Sequence, residues 1–423
     1  MGTLPAKPWL LATTLRRTLP WLVLGASPWA WGAEPLTEAQ LVRRFLQSPV
    51  PTSVIAAVDA QTRADRTAVS LLDAPSVEAR HEAARGDWGA TTHAIGASVT
   101  LDLGLSALGH TRAAQLRGRG GEPGREAVVL MAVCAFRADT VELWAANRSA
   151  SVGQEAHARL DGLSHDLGAL AEAGEASGYD RDRTSLAVVA HYTDAVRRLA
   201  EAEALRARIS SLVGGEPVVE VALADVPEPA SPPSAAADLS DHPTLRSLLL
   251  QRDAAKADRD AARRGQLPDL TVSGGPRWDA APTGGPAAQG FEVGGSVQVP
   301  WMDGSRAEAR QRTAAHAAVE AAVARQRAEL EGDVLGALQR IAALAASPTR
   351  SPDPEAVWTA AMDRYAAGES SLDDLLQVAD AVEAARLAEV ERERLQRRAH
   401  LDLECARGRL AEPIQSVLEE ALR

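Results

Sequence analysis

Period-two alternation stands out in the second half of the chain. In "LPDLTVSGGPRWD" Leu270, Val272, Gly274, Pro276 and Trp278 fall on one face of an extended segment, and Asp269, Thr271, Ser273 and Arg277 on the other. In "FEVGGSVQVPW" the apolar set is Phe291, Val293, Gly295, Val297, Val299 and Trp301, against Glu292, Ser296 and Gln298. Successive side chains of a strand point to opposite faces, so both runs predict strands with one apolar face. A weaker version precedes them, where Ile95, Ala97, Val99, Leu101 and Leu103 alternate with Ser98, Thr100 and Asp102. Elsewhere the spacing is helical. After Gly368, Leu372, Leu375, Leu376, Ala379 and Val382 share one stripe, and Glu389, Glu391, Arg392, Glu393 and Arg394 follow among charges expected to face water. That is coiled-coil-like spacing.

The landmarks recur. Ala173, Gly174 and Glu175 reappear as Ala367, Gly368 and Glu369, 194 residues on. "ADR" at Ala64 returns at Ala257, "APSVEA" at Ala74 matches "LPDLTV" at Leu267, "IGASV" at Ile95 matches "VGGSV" at Val293, and Gly214 matches Gly408. The order holds throughout and the spacing drifts by only a few residues, so the chain reads as a tandem duplication. Each copy runs helix, strand pair, long helix, glycine interruption, long helix. The first repeat is placed at 33–215, with a hairpin at about 74–103 and a tip near Gly174; the second at 242–410, with a hairpin at about 267–301 and a tip near Gly368. Residues 216–241, rich in Pro and small side chains, read as an extended linker, and 411–423 as a C-terminal tail. The descending helices, from about Ser106 to Leu170 and from Ser305 to Ala366, would each be on the order of 90 Å long at about 1.5 Å per residue. "GRGGEPG" at 118–124 is expected to break the first and "SPTRSPDPE" at 347–355 the second.

Composition suits long helices packed side by side. Of the 423 residues, 46% are hydrophobic but only 4% aromatic, and alanine takes the place of the large anchors of an ordinary core. A net charge of −12, with no basic stripe interleaved with aromatics, argues against a nucleic-acid partner. At the N-terminus, Arg16 and Arg17 precede an apolar run from Leu19 and small residues at Ala30 and Gly32 or Ala33, so residues 1–32 read as a secretory signal peptide. No Cys stands at the cleavage site to receive a lipid. Cys134 and Cys405 are the only cysteines. Free, buried thiols are the reading taken for them, although an exported compartment also permits a disulfide.

Export and alternation together change the meaning of the strands. Alternation over about ten residues is what a tilted membrane-spanning strand requires, apolar toward lipid and polar toward a lumen. Trp88, Trp278, Phe291 and Trp301 fall near strand ends, where an interfacial aromatic girdle belongs. Two hairpins make four strands, too few to close a barrel, so further copies must complete it.

At this point the residues resemble a family. The duplicated order, "RYAAGESSLDDLLQVADAVEAARLAEVERERLQ" with its Tyr-x-x-Gly and Asp-Leu-Leu, and "HPTLRSLLLQRDAAKADRDAARRGQLPDLTV" together look like the TolC-like outer membrane efflux proteins over nearly the whole mature chain. The absent anchor Cys and the modest length lean toward the heavy-metal efflux branch. The resemblance implies a mainly α fold with β-hairpins, the protomer of a homotrimer. Its twelve-stranded β-barrel would sit in the outer membrane of a Gram-negative bacterium, against outer membrane lipid, and continue as a periplasmic α-helical barrel. It implies a passive conduit that meets a periplasmic adaptor and an inner-membrane pump and exports small molecules or metal ions. Gly174, Glu175, Tyr365, Gly368, Glu369 and Ser370 would then form the tips that contact the adaptor. Asp180 and Asp374 match the family's acidic ring at the tunnel entrance, and Gln377 stands where a second acidic residue would be.

The case for an enzyme is thin. The nine His residues are scattered, the Gly-rich stretch lacks the Lys-Ser/Thr of a phosphate loop, and no cofactor or metal site is expected. An alternative of another class is a periplasmic adaptor or coiled-coil scaffold with a soluble β-domain, although such a protein would not repeat the helix, hairpin, helix order twice. A type I protein-secretion conduit is a variant of the channel reading.

Overall fold

A computed structural model describes residues 36–67, 76–83, 91–174, 177–215, 217–218, 221–223, 239–280, 288–298, 304–346 and 352–422. The signal peptide and most of the linker, like Trp88, Glu175 and Trp301, lie outside the described residues. In chain order the elements are β1 (Leu36–Thr37), α1 (Glu38–Gln47), α2 (Pro49–Thr67), β2 (Ser76–Ala83), β3 (Thr91–Asp102), α3 (Ser106–Ala173) and α4 (Gly178–Leu212). After them come β4 (Val221–Ala222), α5 (Pro243–Arg264), β5 (Asp269–Ala280), β6 (Ala288–Gln298), α6 (Ser305–Ala346), α7 (Pro354–Ala366), α8 (Leu372–Arg407) and α9 (Ile414–Leu422). The glycines that mark the repeat mark it in the backbone too. Gly174 and Gly368 have φ of +78° and +73°, and Gly214 and Gly408 have +93° and +69°.

The two hairpins pair into one antiparallel sheet in the order β2-β3-β5-β6. The long helices leave this sheet from one edge, since β3 runs into α3, α5 into β5 and β6 into α6, with Asp102, Asp269 and Gln298 in register there.

Three corrections to the sequence reading concern the helical body. The "GRGGEPG" stretch does not break α3, which continues through Pro123 for 68 residues, on the order of 100 Å. Gly120 and Gly121 let neighbouring helices come close: a Cβ on Gly121 would collide with Thr62 of α2, and one on Gly120 would press on Leu250 of α5 at 3.4 Å. Packing along α5 and α2 therefore outweighs the propensity cost of about 1 kcal/mol per glycine. Residues 414–422 are no loose tail. They form α9, whose Ile414, Val417 and Leu418 enter the same core as Leu41, Val42, Phe45, Leu46, Val129, Phe136 and Ile209. Cys134 and Cys405 are not free thiols but are bonded to each other, with Cα atoms 6.2 Å apart. Sequence spacing suggests separate thiols because it does not show that α3 and α8 run side by side. The start of the linker is also engaged, since β4 pairs in parallel with β1.

Candidate functional site

The sheet is the first feature that needs a function. Its register places Val77, Ala97, Gly274 and Val293 in one row, Val99 and Val272 in another, and Leu101, Leu270 and Val297 in a third, all on one face. That face is bare: Val77 is 75% exposed, Phe291 72% and Val293 72%. A contiguous apolar patch of this kind does not stay in water, and none of the described residues covers it. The other face is polar and organised across the strands. Ser76 Oγ lies 2.5 Å from Ser98 Oγ, Thr100 Oγ1 is 3.0 Å from Thr271 Oγ1, and Thr92 Oγ1 donates to Asp279 Oδ1 at 2.8 Å. Trp278 and Phe291 sit on the apolar face toward the edge away from the helices, because Trp278 faces Gln289 and Phe291 faces Pro276. Among the described residues, no helix is long and apolar enough to cross a membrane, and no group of three or more His, Cys, Asp or Glu side chains could hold a metal ion.

The second feature lies at the far end of the helices. At Gly368 the chain leaves α7 through a paired hydrogen-bond turn in which the Gly368 N–H donates to the Tyr365 carbonyl and the Glu369 N–H to the Arg364 carbonyl, both at 2.9 Å. This double bond pattern satisfies the last carbonyls of a helix and needs left-handed backbone at its glycine. At the corresponding point of the first repeat, the Gly174 N–H donates to the Ala171 and Leu170 carbonyls. Neither glycine has an atom within 4 Å of where a Cβ would stand, so space is available and the backbone angle is the constraint.

Each turn is followed by a capped helix. Ser371 Oγ accepts from the Asp374 N–H at 3.2 Å, while Asp374 Oδ2 accepts from the Ser371 N–H at 3.0 Å and from its hydroxyl at 2.7 Å. Ser177 caps α4 more simply, accepting from the Tyr179 N–H. These serines are absent from the residues singled out in the sequence. Their signal is Ser-x-x-Asp at Ser177–Asp180 and again, 194 residues on, at Ser371–Asp374. The Ser371 side chain, and then its backbone, hold the Asp374 carboxyl below the ordinary carboxylate range. Asp180 acts across the tip: burial first and the Asp180 charge second push the Tyr365 hydroxyl up. Arg183 of α4 pairs with Asp373 of α8, a second contact between the repeats.

Beneath this polar surface, Leu160, Leu163 and Leu167 of α3 pack with Trp358 of α7 and with Leu372, Leu375, Ala379 and Val382 of α8. The stripe read from the sequence therefore faces α3, with Leu376 packed against the cluster's margin. Gln377 and Asp374 are exposed on the opposite side of α8, and Ser370 and Tyr365 are half-buried. The structure thus brings Tyr365, Gly368, Glu369, Ser370, Asp374, Gln377, Gly174 and Asp180 to one end of the helical body and leaves Trp278 and Phe291 at the other.

Solved structures share this fold. The outer-membrane channel OprN matches with a TM-score of 0.69 at 20% identity, over 88% of this chain and 89% of its own. The Campylobacter jejuni CmeC outer membrane channel matches at 0.71 and 14% identity over 91% and 89%. The outer membrane protein VceC from Vibrio cholerae matches at 0.69 and 14% identity over 88% and 96%. The fold is therefore that of these outer membrane proteins. Residues 237–409, spanning the second repeat, match the family described as outer membrane efflux protein. No curated protein matches the chain's sequence.

Proposed function

We propose that the chain is the outer membrane component of a tripartite efflux system in a Gram-negative bacterium, and that three copies form one passive conduit. The observation that carries this is the sheet, with one bare apolar face, one polar face, and two unpaired edges at β2 and β6. Backbone groups at an open edge cannot be left in lipid, so a membrane-embedded sheet must close on itself. Four strands from each of three copies give twelve, an even number within the range of outer-membrane barrels. The polar rows of Ser, Thr, Glu and Arg then line the lumen, and the helices continue it into the periplasm. At the helical tips, Gly174, Tyr365, Gly368, Glu369 and Ser370 meet a periplasmic adaptor, through which an inner-membrane pump delivers small molecules or metal ions. Single-particle imaging of the detergent-extracted protein tests the reading. A three-fold hollow tube with a stalk on the order of 100 Å supports it; a solid rod or a lumenless monomer overturns it.

Asp180 and Asp374 form the acidic entrance of this conduit. Rings of carboxylates in a narrow pore favour cations. Hydrogen bonds from Ser371 keep Asp374 ionised below the pH at which a free Asp takes up its proton, so cation preference conferred by Asp374 is lost only in solution more acidic than the one that protonates a free Asp. Replacing Asp180 and Asp374 together by Asn, which can still accept a cap hydrogen bond, is expected to lower cation preference and raise single-channel conductance in planar bilayers. Conductance and reversal potential identical to the parent would remove both residues from the gate.

Gly368→Val tests the tip. The left-handed angle at Gly368 costs an L-residue roughly 1–2 kcal/mol, and a β-branched one more, so the turn must distort. Because the tip lies far from the sheet, trimers are expected to assemble normally while pump-dependent export falls. Loss of the trimer itself would refute the assignment of Gly368 to the tip, and Gly368→Asn, which tolerates this backbone, should do the least harm.

A further inference from the structure

Charge is distributed unevenly between the two ends of the helices. At the tips, the first turns of α4 and α8 carry Asp180, Asp373 and Asp374, and the arginines nearby are paired, Arg181 with Asp182 and Arg183 with Asp373. At the sheet end, the helix turns nearest the strands carry Arg112 on α3, Arg263 and Arg264 on α5, and Arg306 and Arg310 on α6, all five exposed. Among the described residues none of the five has an acidic partner, whereas most arginines along the helical body are paired with carboxylates. The carboxylates at this level are already engaged. Asp102 Oδ2 accepts from the Ser106 hydroxyl at 2.6 Å and from the Ala107 N–H at 2.8 Å, capping α3. Glu308 lies 3.5 Å from Arg312 and Asp260 2.7 Å from Arg259, Asp258 is buried against His110 and Arg117, and Asp269 also has a partner.

Where this collar sits decides what it meets. α3, α5 and α6 all join the sheet at the edge where Asp102, Asp269 and Gln298 are in register. Arg264 and Arg306 stand at helix ends, and Arg112 and Arg310 are five or six residues beyond, about 9 Å at most along the axis. A bilayer's headgroup region is only about 5–8 Å deep on each side, and arginine reaches up to its level by extending along an apolar surface. Guanidinium groups bind phosphate oxygens through paired N–H donors. We propose that these five arginines form a binding collar for anionic phospholipid headgroups in the periplasmic leaflet of the outer membrane. Repeated in three copies, it would fix the depth of the barrel in the membrane. The proposal rests on the channel reading, because the sheet defines where the membrane lies.

The test uses the full-length mature protein reconstituted into vesicles of equal parts phosphatidylethanolamine and phosphatidylglycerol, then released for native mass spectrometry. Phosphatidylglycerol is expected to be enriched over phosphatidylethanolamine among retained lipids by at least about fivefold, the factor that one arginine near an anionic surface supplies. The variant with Gln at Arg112, Arg263, Arg264, Arg306 and Arg310 should return to the bulk ratio. The variant with Lys at the same positions should keep most of the enrichment, which separates charge from misfolding. Equal retention of the two lipids by the parent protein overturns the proposal, as does enrichment that survives the Gln changes. A change of ion selectivity in the Gln variant with an unchanged lipid ratio would place the arginines in the lumen instead, and also overturns it. Protein that conducts but shows no lipid preference sinks only the collar; protein that neither inserts nor conducts sinks the channel reading with it.

Discussion

Replacing Arg137 with Met is expected to destabilise the folded chain by about 3–5 kcal/mol, the range for stripping one member from a buried ion cluster. Arg137 lies in the middle of α3 with its side chain only 8% exposed, between two carboxylates. Its Nε donates to Glu38 Oε1 and its Nη1 to Glu404 Oε2, both at 2.6 Å. Burial opposes the guanidinium charge, yet the hydrogen bonds and charges of Glu38 and Glu404 outweigh it and raise the pKa above the ordinary value. The three residues come from α1, α3 and α8, so the cluster ties the start of the described chain to both repeats. Glu404 also accepts from the Ala411 N–H at 3.3 Å, which extends the tie to the turn before α9. Without the cation, two poorly solvated carboxylates face each other. Denaturant unfolding measures the loss. Adding Glu38→Gln and Glu404→Gln to the Arg137→Met variant should restore most of it, because the uncompensated charges are then gone. A loss below about 1 kcal/mol would mean that water already solvates the cluster.

Strand alternation and the turn glycines are legible in the sequence because each rests on local rules. A face alternates at period two wherever a strand is half in lipid, and Gly368 takes a left-handed angle because the turn needs one. The alternation at Leu270 to Trp278 is the structure's apolar face, whereas the pairing of β3 with β5 across the two repeats is not written in either hairpin. What stays hidden is tertiary. Pro123 and its glycines look like a helix break from propensity alone; only the neighbouring α5 and α2 explain why small residues are useful there. The apolar residues of α9 lie too near the C-terminus for a periodic stretch to stand out, and their role depends on α1, more than 360 residues earlier. At the tip, Asp374 is readable as an acidic position, and its bonding to Ser371 is carried by the Ser-x-x-Asp spacing, a fainter signal than the glycine three residues before the serine. Trp358 is silent too, since nothing in α7's sequence says that its ring packs among leucines of α3.

Breaking the bond between Cys134 and Cys405 is expected to lower stability by a comparable amount, about 3–5 kcal/mol. The bond joins α3 to α8 across a separation of 271 residues, and in the chain-entropy account a closed loop of that size restricts the unfolded chain strongly. It borders the core of Val133, Phe136 and Leu410, where Phe45 and Phe136 stack with ring centroids 4.4 Å apart. The Cys134→Ala, Cys405→Ala double variant should unfold at a lower denaturant midpoint. Reductant should shift the parent protein by a similar amount and leave the variant unmoved. The position of the staple separates stability from gating. Cys134 stands 29 residues along α3 from Leu163 in the tip cluster, about 44 Å of helix, so the tips should move as before. Single-channel conductance below the unfolding transition is therefore expected to be the same with and without the bond. If conductance rises when the bond is lost, the staple restrains opening of the helical barrel. If neither stability nor conductance changes, the packing of α9 and α1 already holds α3 against α8, and the covalent link adds nothing to it.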